Sequence, residues 1–68
     1  MANMILTVRE KTVFELLIDN KSTKEIAEEL NISEKTVRNH ISNVIQKLGV
    51  TSRSSAIIEL LKTKDLTL

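Results

Sequence analysis

The sequence has no cysteine, proline, tryptophan or tyrosine, and only one glycine, one phenylalanine and one histidine. Without cysteine there are no disulfides, thiolate metal sites or cysteine nucleophiles, which fits a reducing compartment such as the cytoplasm. One histidine cannot assemble a metal centre on its own. No apolar run approaches the roughly 20 residues that span a bilayer, so no membrane partner is expected. Met1 to Leu6 lack the basic flank and long apolar core of a signal peptide. Length is the strongest exclusion. A chain of 68 residues has room for one small domain. We read residues 1–68 as that domain, with its core at about 6–64. No room remains for a nucleotide fold, a substrate domain or a lid, so neither an enzyme nor a cofactor or small-molecule substrate is expected.

What the sequence does have is aliphatic residues: nine Leu, eight Ile and five Val, within an apolar fraction of 41%. That is too much for a disordered chain. A domain near 65 residues buries only about 60% of its unfolded surface. It therefore needs efficient helix packing or a partner subunit.

The punctuation is regular and helical. Thr7-Val8-Arg9-Glu10 reads as a capping box, and Val13, Phe14, Leu16 and Leu17 follow it at helical spacing. Asn20-Lys21 ends this helix, because asparagine tolerates the left-handed conformation. Ser22-Thr23-Lys24-Glu25 is a second capping box, opening a short helix that presents Ile26, Ala27 and Leu30 on one face. Asn31 reads as a stop, Ile32 as an apolar plug and Ser33 as a third N-cap. A longer helix is predicted over about 34–48, closed by Gly49 with Val50 as the accompanying apolar contact. Thr51 or Ser52 then caps a last helix at about 53–62. The expectation is four helices, no strand and no internal repeat.

The third helix carries the functional signal. On a wheel of about 100° per residue, Val37, Ile41, Val44, Ile45 and Leu48 form one stripe. The opposite side holds Lys35, Arg38, Asn39, Ser42, Asn43 and Gln46, none of them acidic. These side chains can donate hydrogen bonds to base edges, with arginine favouring guanine and asparagine or glutamine favouring adenine. The charge distribution agrees. Residues 1–32 hold four basic against six acidic side chains, whereas residues 33–54 hold Lys35, Arg38, Lys47 and Arg53 against Glu34 alone. Phosphate attraction needs such a local excess. The plain alternative is a solvated helix face, although such faces usually mix Glu with Lys. The second helix does mix them, with Lys24, Glu25, Glu28 and Glu29.

The short helix, tight turn and longer helix form a helix-turn-helix layout, in which the second helix enters the major groove of double-stranded DNA. Ser22, Thr23 and Lys24 at one helix N-terminus, and Thr36 near the other, suit phosphate contacts. Ordinary capping is the competing role of the hydroxyls. Glu34 in the first turn reads as a partner of the helix dipole. His40, at the edge of the apolar stripe, reads as a packed or hydrogen-bonded rim histidine, not a metal ligand. In the last helix Ile57, Leu60 and Leu61 share one side, with Ala56 and Ile58 on the flanks. The surplus around Ile58, Leu61 and Leu66 is expected to form a two-fold dimer contact.

The run Lys24-Glu25-Ile26-Ala27-x-x-Leu30-x-Ile32-Ser33-x-x-Thr36-Val37-x-x-His40-Ile41-x-x-x-Ile45-x-Lys47-Leu48-Gly49-Val50 resembles the LuxR/FixJ-type helix-turn-helix domain. Leu6-Thr7-x-Arg9-Glu10 and Arg53-Ser54-x-Ala56 match it too, so the resemblance covers nearly the whole chain. It implies an all-α, four-helix domain: a three-helix core like that of winged-helix and homeodomain proteins, plus a C-terminal dimerisation helix. It implies a dimeric, sequence-specific DNA-binding regulator of bacterial transcription, cytoplasmic, with RNA polymerase as a further partner. By resemblance, base contacts fall on Arg38, Asn39 and Ser42 with Lys35 nearby. Phosphate contacts fall on Ser22, Thr23, Lys24, Thr36, Asn43 and Lys47. Family members often have glycine where this chain has Asn20 and Lys64. No receiver or ligand-binding domain precedes Leu6, which leaves a free-standing member or an excised response-regulator effector domain; the opening Met and a tail that matches the stand-alone type make the former the expectation. Two further readings are a promoter-recognition module like region four of a sigma factor, and a helical interaction module or anti-activator that keeps the shape without binding DNA. An interaction helix would more often show exposed Leu, Met or aromatic anchors on the face that here is polar.

Overall fold

Each helix begins at a side-chain cap. The computed structural model describes residues 6–63, which form α1 (Val8–Ile18), α2 (Thr23–Leu30), α3 (Glu34–Leu48) and α4 (Arg53–Lys62). The N-caps are Thr7, Ser22, Ser33 and Ser52, each accepting a backbone N–H from three residues on. At α1 and α2 the box is complete: Glu10 and Glu25 reach back to the Thr7 and Ser22 amides at 2.9 and 2.8 Å. Each such cap contributes about 1 kcal/mol.

The stops are as regular as the starts. Asn20, Asn31 and Gly49 all take left-handed conformations, with φ of 64°, 58° and 70°. Behind each, the next residue's N–H returns to a carbonyl five residues earlier: Lys21 to Leu16, Ile32 to Ala27 and Val50 to Ile45. This Schellman closure satisfies helix carbonyls that would otherwise be orphaned. Ile32 and Val50 pack against the core as they turn, so each turn is pinned on both sides.

Helix α3 is the hub and packs against α1, α2 and α4. The core is Leu6, Val13, Phe14, Ile26, Ala27, Val37, Ile41, Val44, Ala56 and Leu60. Phe14, the largest of them, is fully buried, as are Ile26, Leu60, Val13, Val37 and Val44. Each such side chain contributes about 1.5–3 kcal/mol of transfer free energy. Among the described residues there is no strand. No described helix is long and apolar enough to cross a membrane.

Helix α4 departs from expectation in one respect. Its inward face is centred on Ala56 and Leu60, both fully buried, while Ile57 and Leu61 are only partly covered. Ala56 is therefore not a flank. Its small side chain lies one turn from Leu60 on the same buried face. Ile58, two positions on, points outward and is 58% exposed. Leu66, the third residue of the expected dimer contact, lies outside the described residues.

Candidate nucleic-acid interface

The buried stripe of α3 determines what its other side shows. Val37, Ile41 and Val44 are buried and Ile45 and Leu48 half-buried, so rotation of the helix is fixed by packing. Lys35, Arg38, Asn39, Ser42, Asn43 and Gln46 are consequently all exposed. At three- and four-residue spacing these form a continuous row of donors about 16 Å long. His40 is half-buried at the edge between the two sides, as expected.

The turn 31–33 sets α2 against the start of α3 and brings in the second group of residues. Ser22 and Lys24 are exposed and Thr23 half-buried at the α2 N-terminus. The Ser22 hydroxyl accepts the Glu25 amide at 3.0 Å and keeps its own proton to donate. The Glu25 carboxylate folds back onto this cap. The hydrogen bond from the Ser22 amide holds its pKa below the ordinary value. Thr36 is more constrained. Its hydroxyl lies 2.9 Å from that of Ser33, which also accepts the Thr36 amide. It can donate to a phosphate only when Ser33 supplies the proton between them.

Two ion pairs cross this region, and sequence reading drew neither. Arg38 Nη1 is 3.6 Å from Glu34 Oε1, one turn earlier on α3. The i,i+4 spacing was the signal for it. Lys47 Nζ is 2.7 Å from Glu10 Oε1, across 37 positions of sequence, a distance no local pattern encodes. Glu10 is the one charged side chain among the buried described residues, at 3% exposure. Burial alone would push its carboxyl up. Hydrogen bonds from Lys47 and the Thr7 backbone, with the charges of Lys47 and His40, outweigh this and leave it below the ordinary value. The Lys47 ammonium anchors the last turn of α3 to the first turn of α1, and its side chain is still 35% exposed.

A short helix, a left-handed turn and a longer helix with a donor-rich outer face define a helix-turn-helix module of the transcription-regulator class. The sequence matches the family described as bacterial regulatory proteins, luxR family, over residues 4–60. It is 66% identical over 64 residues to the spore germination protein GerE of Bacillus subtilis (strain 168), covering 94% of this chain and 86% of that one. It is 50% identical over 58 residues to the transcriptional regulatory protein DegU of Brevibacillus brevis, covering 85% of this chain but 25% of that longer protein. A solved structure of the transcription factor GerE superposes with a TM-score of 0.92 at 58% identity, over 96% of this chain and 97% of that one. The response regulator ChrA of a heme-sensing two-component system gives 0.85 at 30% identity, over 97% of this chain and 33% of that one. The chain belongs to the luxR family of bacterial regulatory proteins. It is a DNA-binding transcriptional regulator by family, not an enzyme.

Proposed function

We propose that the chain works as one domain that reads double-stranded DNA sequence by laying α3 in the major groove. The observation that carries this reading is the outer face of α3. Six exposed polar side chains, none acidic, stand on a helix whose rotation is fixed by a buried stripe, with Glu34 at the helix start the one exposed acid beside them. Arg38 and Asn39 face base edges, with Lys35 and Ser42 beside them. Ser22, Thr23, Lys24, Thr36 and Asn43 hold phosphates and fix the register. Lys47 adds to the positive field at the groove edge through an ammonium already committed to Glu10, so its part is shared between structure and phosphate attraction.

The chain acts as a dimer in this reading, through α4 at Ile58 and Leu61, with Leu66 as the third residue expected from the sequence. Two α3 helices then enter successive major grooves about one helical turn apart. The setting is the bacterial cytoplasm, where the DNA is, and contact with RNA polymerase turns binding into a change in transcription. Close identity to GerE, a transcription factor, supports this.

Titration of the isotope-labelled chain with duplex DNA, followed by amide NMR shifts, tests the docking geometry. The largest shifts are expected at Ser22–Lys24 and along Lys35–Asn43. Shifts centred on α1, or none at low salt, would contradict it and favour a protein-interaction module.

A further inference from the structure

The acid of α3 is out of step with those of the preceding helices. At α1 and α2 the N-terminal acid stands at the third helical position, where Glu10 and Glu25 close capping boxes. In α3 the third position is Thr36, and Ser33 with Thr36 completes the cap without any carboxylate. Glu34 stands instead at the first position. Capping does not use it there, and its Oε1 lies 3.6 Å from Nη1 of Arg38. It is also the only acidic residue between positions 33 and 54. An acid at the mouth of a phosphate-lined groove is repelled by the duplex, so its presence opposes binding to any DNA.

Resting on the DNA-reading function proposed above, we infer that Glu34 is a specificity-determining residue that acts through Arg38. Its carboxylate attracts the near edge of the guanidinium electrostatically, at 3.6 Å. A guanidinium is planar with donors on fixed edges, so biasing Nη1 toward the carboxylate leaves Nε and Nη2 for another acceptor. Arg38 is thereby held for bidentate contact with a base edge instead of swinging to the nearest phosphate. On a cognate site the arginine lies between carboxylate and base, and the acid is compensated. On a non-cognate site Arg38 gains no base contact, while the repulsion between Glu34 and phosphate remains. The acid therefore lowers non-specific affinity more than specific affinity. Both side chains are exposed, at 59% for Arg38 and 47% for Glu34. An exposed pair of this kind adds little to stability, so its effect falls on partner choice.

The test compares wild type, Glu34→Gln, Arg38→Ala and the double variant by selection from random duplex DNA, with equilibrium binding to the selected site and to a scrambled duplex. Glu34→Gln is expected to bind the scrambled duplex about three- to tenfold more tightly. Its preference at the base pair read by Arg38 is expected to fall by about threefold or more. In the Arg38→Ala background the same substitution should leave that preference unchanged. Uniform tightening on both duplexes, with an unaltered preference, would overturn the inference and leave Glu34 as a helix-dipole partner. If wild type itself selects no sequence, the DNA-reading function fails first, and that result is distinguishable from an unchanged Glu34→Gln profile.

Discussion

Lys47 Nζ sits 2.7 Å from Glu10 Oε1, and the same oxygen accepts the Thr7 amide at 2.9 Å. One carboxylate oxygen thus closes the cap of α1 and clamps the last turn of α3 to it. The clamp fixes the C-terminal end of the helix whose outer face carries the donor row. Lys47 also lies where a cation favours the α3 dipole.

Removing one partner strands the other. Lys47→Ala leaves a carboxylate that is 3% exposed without its cation, at a cost of about 1–3 kcal/mol. For a domain of this size that lowers the melting temperature by roughly 4–8 °C per kcal/mol. Urea melts of Lys47→Ala, Glu10→Gln and the double variant measure it, and the double variant should lose less than the two singles together. If Lys47 also attracts phosphate, affinity for every sequence falls and the salt slope drops by about one. An unchanged slope assigns Lys47 to structure alone.

The pair makes stability depend on acid in a defined direction. Glu10 has a folded-state pKa below its unfolded value. Its contribution is present above the ordinary glutamate pKa of about 4.3. It is lost as pH falls through the lower folded-state value. Glu25, also lowered by its cap, acts in the same direction. Urea midpoints followed from pH 7 to pH 3 should fall steeply below about pH 4.3 for wild type. Glu10→Gln should start lower at pH 7 and fall less.

The starts and stops of the helices were legible because caps are local chemistry. Thr7, Ser22 and Ser33, the stops at Asn31 and Gly49, and the bounds of α3 stand where the residue types put them. The outer face of α3 was legible because a strong apolar stripe leaves one rotation. Three features were not. Glu10 reads as a capping residue, and nothing within a few positions says that its carboxylate is also buried against Lys47. The inward centre of α4 at Ala56 depends on how closely α4 approaches α3, which is a tertiary matter. The reach of Glu34 to Arg38 was open to spacing but was masked by the simpler dipole role.

Gly49 tests the stop of α3. Its φ of 70° is left-handed, and a Cβ there would meet nothing within 4 Å. Gly49→Ala should therefore cost only the conformational term, about 1–2 kcal/mol, seen as a lower urea midpoint. DNA affinity per folded molecule should not change.

Ile58 tests the dimer. It is one of two large apolar side chains left exposed among the described residues, the other being Val8. Ile58→Glu should leave the thermal melt within about 0.5 kcal/mol of wild type, as for other surface changes. It should shift sedimentation equilibrium toward monomer and weaken binding to a two-site operator more than to a half-site. Unchanged sedimentation would remove Ile58 from the interface.

The most direct measurement of the central claim is selection from random duplex DNA at about 0.1 M salt, with sequencing of the bound pool for wild type and Arg38→Ala. The account predicts an enriched motif of two-fold symmetry. It also predicts that Arg38→Ala loses about 1–3 kcal/mol on that site while relaxing preference at one base pair of each half. Binding without enrichment, or a uniform loss across all sequences in Arg38→Ala, would contradict base reading by α3.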